Sequence, residues 1–255
     1  MTAPEPANAE LTLTGRITTA SNATFLGSIG DVKVIYKPMA GEHPLWDFPH
    51  GALAHRELAA YLVSQVMGWN LVPHTWLRDG PLGEGMVQLW QDQDPAQNAV
   101  NLLLAQEVTQ TGWKHVLDGQ DGNGRMISLV HEDSPELRRM AVFDVLVNNA
   151  DRKGNHVLAM TDGHRYGVDH GLTFHQDHKL RTVLWGWMGE ALNAGELEGI
   201  DRVAEALHGQ LGRSLADLLS TEEIASLGAR CSLLSSARKF PAPQGEMPAV
   251  PWPLF

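Results

Sequence analysis

Asp151 stands in "VFDVLVNNADRKGNHVL", residues 142–158, where an apolar helix-like run breaks into a dense polar knot and apolar residues resume at once. A carboxylate at the end of a rigid helix, in a loop returning to a strand, suits a base that orients or deprotonates a hydroxyl. Asp169, in "YGVDHGLTF", follows a strand-like stretch and precedes Gly171. That setting fits a metal ligand at a tight turn, where glycine lets the backbone come close. The plainer reading is a turn carboxylate that bonds its own backbone. Lys37 ends the strand-like "VKVIYKP", a position suited to an ammonium on nucleotide phosphates. Lys33, on the same strand face by alternation, competes with it. Glu57, in the helix-like "AHRELAAYL", can hold such an ammonium in place and keep it charged. Any one of these residues alone is usually a solvated side chain. Together, in this order, they make up the parts phosphoryl transfer needs: a cation on the phosphates, a carboxylate on the acceptor, and ligands for Mg²⁺.

The elements that must position them follow from periodicity. "LTLTGRI" (11–17), "TFLGSI" (24–29) and "VKVIYK" (32–37) read as strands, divided by the turn-prone "TTASNA" and "GD". Residues 53–69 read as an amphipathic helix with Leu53, Leu58, Tyr61, Leu62 and Val66 as the buried stripe. "HTWLRD" and "GMVQLWQ" read as a hairpin turning at "GPLGEG". "AQNAVNLLLAQEV" fits helix and strand equally, and "GQDGNG" reads as a loop inside a hairpin. That loop lacks the carboxylate spacing and closing Glu of an EF-hand. "DSPELRRMAVFDVLVNN" opens with a helix start, Asp133 or Ser134 as cap and Pro135 in the first turn. Its later part is apolar on nearly every side and predicts a central helix. "HVLAM" and "RYGV" predict a hairpin, residues 190–239 carry helical periodicity, and the Pro-rich tail carries Trp252, Leu254 and Phe255, which predict docking.

The predicted fold class is α+β and bilobal, in the element order of a protein kinase. The sequence predicts residues 1–10 as a disordered tail, 11–91 as a small β-rich nucleotide-binding lobe with one helix, 92–240 as a mainly helical lobe with the catalytic loop, and 241–255 as a Pro-rich tail.

The chain has 255 residues, enough for one large domain or two lobes. A formal net charge of −11 argues against nucleic acid or anionic membrane as the main partner. Cys231 is the only cysteine, which excludes an internal disulfide and a cysteine-cluster metal site and predicts a cytoplasmic setting. The first ten residues lack the basic and apolar regions of a signal peptide, and no apolar run is long enough to predict a membrane helix. Twelve histidines are present without the HExxH spacing.

"YKP", a helical Glu, "NNADRKGNHVL" and "VDHGLTF" resemble the phosphatidylinositol 3-/4-kinase-like superfamily, related in turn to the HipA-type kinases and to secretory-pathway kinases of atypical fold. The chain also resembles an uncharacterised actinobacterial kinase-like group. The likeness runs over residues 12–190. It implies ATP and Mg²⁺ or Mn²⁺ as cofactors, with Lys37 on the phosphates, Glu57 as its partner, Asp151 as catalytic carboxylate and Asp169 on the metal. It implies Gln88, Leu89 and Trp90 as the hinge beside adenine, and Ser21, Asn22 and Thr24 as donors in a turn over the phosphates. Two departures stand out. The superfamily's second metal ligand, usually Asn, falls here on His156, with Asn155 one position short. Lys153 stands where lipid kinases carry His, and a cation there can stabilise the transferred phosphoryl group.

The segment after Asp169 holds His175, His178, Lys179 and Arg181, a basic patch suited to a phosphorylated or acidic acceptor. The absence of a basic amphipathic helix favours a soluble small-molecule or protein acceptor over a phosphoinositide. Trp185 and Trp187 read first as core. Two rivals follow: a nucleotide-binding pseudokinase, and a metal hydrolase built on the histidines around "DHGLTFHQDH".

Overall fold

The computed structural model describes residues 9–18, 22–43, 48, 53–108, 112–245 and 247–255. The alternating N-terminal segments pair as β1 (Leu11–Arg16), β2 (Phe25–Ile29), β3 (Val32–Pro38), β4 (Thr75–Gly80) and β5 (Gly83–Leu89). They form an antiparallel sheet in the order β1-β2-β3-β5-β4. Gly30, at φ 59°, supplies the left-handed residue of the two-residue turn between β2 and β3. Leu11, Ile29, Val34, Tyr36, Trp76 and Val87 pack together as the small core of this sheet.

The helix α1 (Leu53–Met67) follows β3 in the chain and lies between β4 and β5 of this sheet and the helices beyond. Its Ala59, Ala60, Val63 and Met67 are fully buried in a second, larger core. That core also holds side chains from α2 (Pro135–Val147), α3 (Ala194–Ala206), α4 (Gln210–Ala216) and α5 (Thr221–Ala237). Each fully buried Val, Met or Leu there contributes roughly 1.5–3 kcal/mol. The expected stripe of Leu53, Leu58, Tyr61, Leu62 and Val66 is only half-buried. The most buried face carries small side chains together with Arg56 and Glu57. Small residues let α1 approach its neighbours closely, and the two charges are met by partners described below. The first turn of α1 is closed by Glu42, whose two carboxylate oxygens accept from the Leu53 and Ala54 amides at 2.8 Å each.

The segment that fitted helix and strand equally is a strand, β6 (Val100–Leu104), followed by a 3-10 turn at Ala105–Glu107. It joins β7 (Trp113–Gln120) and β8 (Met126–Glu132) in a sheet ordered β6-β8-β7. Helix α2 starts as its sequence predicts: Ser134 caps it by accepting from the Leu137 amide at 3.2 Å, with Pro135 at the first position. It ends at Asn148, whose φ of 54° turns the chain out of the helix into the polar knot. Met140, Phe143, Leu146 and Val147 are fully buried, so α2 is the central post of the helical lobe. A hairpin of β9 (Val157–Ala159) and β10 (Arg165–Gly167) follows the knot.

The structure is therefore α+β, sheet-rich first and mainly helical afterwards, with a small core on the first sheet and a larger one among the helices. Among the described residues no helix is long and apolar enough to cross a membrane. The C-terminal tail docks. The Ala249 carbonyl accepts from the Thr182 amide at 3.1 Å and from the Trp185 indole at 2.8 Å. The Leu254 carbonyl accepts from the Gly154 amide at 2.8 Å, and the Phe255 ring lies against Gly154. Trp252, expected to dock with them, is 85% exposed instead. Trp187 is core, fully buried with its indole donating to Asp133 at 2.9 Å.

Candidate active site

Lys37 lies near the end of β3, Glu57 in α1, and Asp169 in the loop after β10. The fold brings all three to one point. The Lys37 ammonium donates to Glu57 Oε1 at 2.6 Å and to Asp169 Oδ1 at 2.7 Å. The second oxygen of Glu57 accepts from the His170 amide at 2.8 Å. Burial alone would push the Lys37 ammonium down, but the charges of Asp169 and Glu57 outweigh it and raise it above its ordinary value. The same ammonium holds the Asp169 carboxyl well below the usual carboxylate range. Glu57 is almost wholly enclosed, whereas half of the Asp169 side chain faces solvent. Glu57 is thus a fixed counter-charge, and Asp169 an ionised carboxylate open to a ligand. Asp169 adopts φ 61°, a left-handed conformation that Asp tolerates better than most residues. Lys33, the competing ammonium, is exposed and sits 3.9 Å from Asp92 at the surface.

Asp151 is held by a framework built on Arg152, which is fully buried. The Arg152 guanidinium donates to both oxygens of Asp144 in α2, with Nη2–Oδ1 at 2.9 Å and Nε at 3.1 Å from each. It also donates to the carbonyls of His156 and Val168 at 3.2 and 3.1 Å, and to His170 Nε2 at 2.6 Å. Asn149 bridges back, donating to Asp144 at 3.0 Å while its Oδ1 accepts from the Asp151 amide at 3.0 Å. Arg152 also pairs with Thr182 in a parallel bridge. One cation therefore ties α2, the Asp151 loop and the stretch leading to Asp169 into a single unit. Burial raises the Asp151 carboxyl above its usual range against the pull of Lys153, whose ammonium lies 3.1 Å away. A partly desolvated carboxylate of raised proton affinity is suited to accept a proton from a hydroxyl.

Asn155 and His156 differ in orientation. Asn155 is exposed, whereas His156 is largely buried and turned towards Asp169. His156 Nδ1 lies 3.0 Å from the Asp151 carbonyl, which only accepts, so Nδ1 carries the proton. Burial holds this imidazole down at about 4, so it is neutral near pH 7. Its Nε2 lone pair then faces Asp169 Oδ2 at 3.4 Å. Two acceptors so placed, with no proton between them, suit a shared cation. Imidazole and carboxylate together accommodate Mn²⁺ readily and Mg²⁺ less well. Two protein ligands are what a nucleotide-bound Mg²⁺ usually takes, the phosphates and water supplying the rest. Among the described residues no group of three or more His, Cys, Asp or Glu is placed to hold a metal, so the hydrolase rival finds no ligand cluster there.

Other sequence-predicted residues are placed differently. Gln88 lies within β5, between β3 and β4, and its buried side chain donates to Thr75 at 2.9 Å. The Leu89 amide donates to the His74 carbonyl at 2.9 Å and the Trp90 amide to the Lys33 carbonyl at 3.1 Å. These N–H groups complete the sheet, so they are not free to bond a base as the expected hinge would have them. Asn22 Oδ1 accepts from the His43 amide at 2.9 Å, and the buried Thr24 hydroxyl donates to the Asn22 carbonyl at 3.2 Å. Both of these groups build their own turn. Ser21 lies outside the described residues. Sequence reasoning missed Arg152, Asp144 and His170 as site residues. The available signal was Asp144 itself, a carboxylate inside the apolar run "AVFDVLV".

No protein-family model matches the chain. Among solved structures it is similar to the Helicobacter pylori proinflammatory kinase CtkA, at 12% identity and a TM-score of 0.47, over 91% of this chain and 93% of that one. Among curated proteins it is 49% identical to protein Rv2133c of Mycobacterium tuberculosis over 262 aligned positions, which span 98% of this chain and 94% of the relative. The chain belongs to the family of Rv2133c.

Proposed function

We propose that this protein is an ATP-dependent phosphotransferase, of the atypical phosphatidylinositol-kinase-like type, that uses Mg²⁺ or Mn²⁺ and acts on a soluble small-molecule or protein acceptor. One observation carries the reading. A lysine, a helical glutamate and a loop aspartate, remote in sequence, converge on one ammonium at 2.6 and 2.7 Å, with Asp151 held rigidly in the same region.

In this reading Lys37 neutralises phosphate oxygens while Glu57 keeps it charged and in place. Asp169 and His156 hold the divalent cation, which when bound stabilises charge on the phosphates. Asp151 orients the acceptor hydroxyl and takes its proton, and Lys153 offers a second cation to the transferred group. The framework of Arg152, Asp144 and Asn149 fixes Asp151 relative to Asp169, and such positioning is a large part of phosphoryl-transfer catalysis.

The test is turnover. Incubation with ATP and Mg²⁺ or Mn²⁺ gives ADP, the γ-phosphoryl group passing to water or to a hydroxyl of the protein itself where no acceptor is added, and Asp151→Asn removes ADP formation while ATP binding persists. Equal turnover by parent and variant sinks the assignment of Asp151. A second reading, a pseudokinase that binds nucleotide without turning it over, is favoured by His156 in the metal position, since imidazole is a soft ligand for Mg²⁺. ATP binding with no ADP formed in either metal supports that second reading.

A further inference from the structure

Adjacent residues on a helix point about 100° apart, and α1 uses this to bond two different parts of the protein at once. Glu57 faces Lys37 and the His170 amide. Arg56, the preceding residue, is equally buried and is turned about 100° from it. Its Nη1 donates to the Thr173 carbonyl at 2.5 Å, in the segment after Asp169. Its Nη2 donates to Glu223 Oε1 at 2.5 Å, in the first turn of α5. The Phe48 ring stacks on the guanidinium, with its centroid 5.1 Å away. Glu223 is itself fixed, since its other oxygen accepts from the Ser220 amide at 2.9 Å and its own amide donates to the Ser220 hydroxyl at 3.2 Å. Together with the small-residue packing of α1 in the larger core, this ion pair is a rigid attachment of α1 to the helical lobe.

We infer that Arg56 is a positioning residue: through Glu223 it holds α1 in the register at which Glu57 meets Lys37, so the first turn of α5 governs a nucleotide site it does not touch. Release of the pair frees α1 to turn or slide. Glu57 then leaves the ammonium, and Lys37 is left paired with Asp169 alone. That draws a carboxylate away from the metal and leaves the phosphates a lysine without its fixed counter-charge. The consequence for nucleotide rests on the phosphotransferase reading, whereas the attachment of α1 does not.

A matched control exists in the same molecule. Glu196 occupies the same capping-box position at the start of α3 and pairs with Arg138 at 2.7 Å, away from Lys37. The experiment compares Arg56→Met, Arg56→Lys, Glu223→Gln and Glu196→Gln in the full chain, each first shown to melt cooperatively. Amide hydrogen exchange over Leu53–Met67 and the Kd for ATP with Mn²⁺ are measured well below the melting temperature of each variant. Arg56→Met is expected to speed exchange in α1 and weaken ATP binding on the order of tenfold. Glu223→Gln changes both in the same direction to a smaller extent, and Arg56→Lys recovers part of the loss. Glu196→Gln lowers stability without moving either readout. Folded Arg56→Met and Glu223→Gln proteins with parental α1 exchange and parental ATP affinity overturn the inference. If the parent itself binds no ATP, the phosphotransferase reading fails, and α1 exchange still decides whether Arg56 holds the helix.

Discussion

Arg152 and Asp144 meet in the interior with Nη2 and Oδ1 2.9 Å apart and neither side chain exposed. The pair joins the central helix to the loop that carries Asp151. A buried charge left alone costs far more than the pair contributes, so Asp144→Ala is expected to lower unfolding free energy by about 3–5 kcal/mol. Asp144→Asn retains an acceptor for the guanidinium and loses less. Urea denaturation of the three proteins measures the order, and a loss below about 1 kcal/mol in Asp144→Ala contradicts the role given to the pair.

His131 gives a pH dependence. Its Nδ1 lies 2.9 Å from the Glu132 carbonyl, and its Nε2 accepts from the Gly186 amide at 2.9 Å, so both ring nitrogens are used by the neutral form. Burial depresses this imidazole from 6.5 to about 4. The unfolded chain therefore takes up a proton before the folded one does. The stabilisation is complete above pH 6.5 and is lost as pH falls from 6.5 towards 4, by roughly 1–3 kcal/mol. His131→Gln, which cannot titrate, flattens the stability profile over that range. A profile as steep as the parent's places the dependence elsewhere.

Gly154 bears on the tail. A Cβ built there falls 2.2 Å from the Phe255 ring, and Gly154 has no left-handed φ that would forbid alanine. Gly154→Ala should therefore push the tail aside while leaving the core intact. The measurement is carboxypeptidase digestion followed by mass spectrometry. Faster removal of Phe255 and Leu254 in the variant is expected, and equal rates mean that the ring does not rest on Gly154.

Cys231 is fully buried, and burial pushes its thiol up to about 12. At pH 8 the thiol is therefore protonated, and it is not accessible in the folded protein. Labelling by a thiol-reactive disulfide reagent should be slow in buffer and complete within minutes in denaturant. Rapid labelling of the native protein contradicts the burial of α5 against the core.

Much of this was legible in the chain. Alternation marked the strands of the first sheet, and Ser134-Pro135 marked the start of α2. The order Lys37, Glu57, Asp151, Asp169 named the residues that meet or lie near one another at the site. What stayed hidden depends on long-range contacts. The buried face of α1 went unrecognised because Arg56 and Glu57 read as surface residues until their partners at Glu223 and Lys37 are known. Arg152 looked like a surface cation for the same reason. β6 was ambiguous because a short apolar run has no decisive period. Sequence also does not reveal that the Leu89 and Trp90 amides, expected beside adenine, already donate to the His74 and Lys33 carbonyls.

The central claim is that Lys37, Glu57 and Asp169 form a site for nucleotide and a divalent cation. Thermal unfolding with ATP and Mg²⁺ or Mn²⁺ tests it most directly. At one hundred times its Kd, ATP with the metal should stabilise the parent by about 2.7 kcal/mol. Asp151→Ala should keep that shift, and Asp169→Ala should lose its metal-dependent part. No shift at saturating nucleotide with either cation, or a parental shift in Asp169→Ala, contradicts the account.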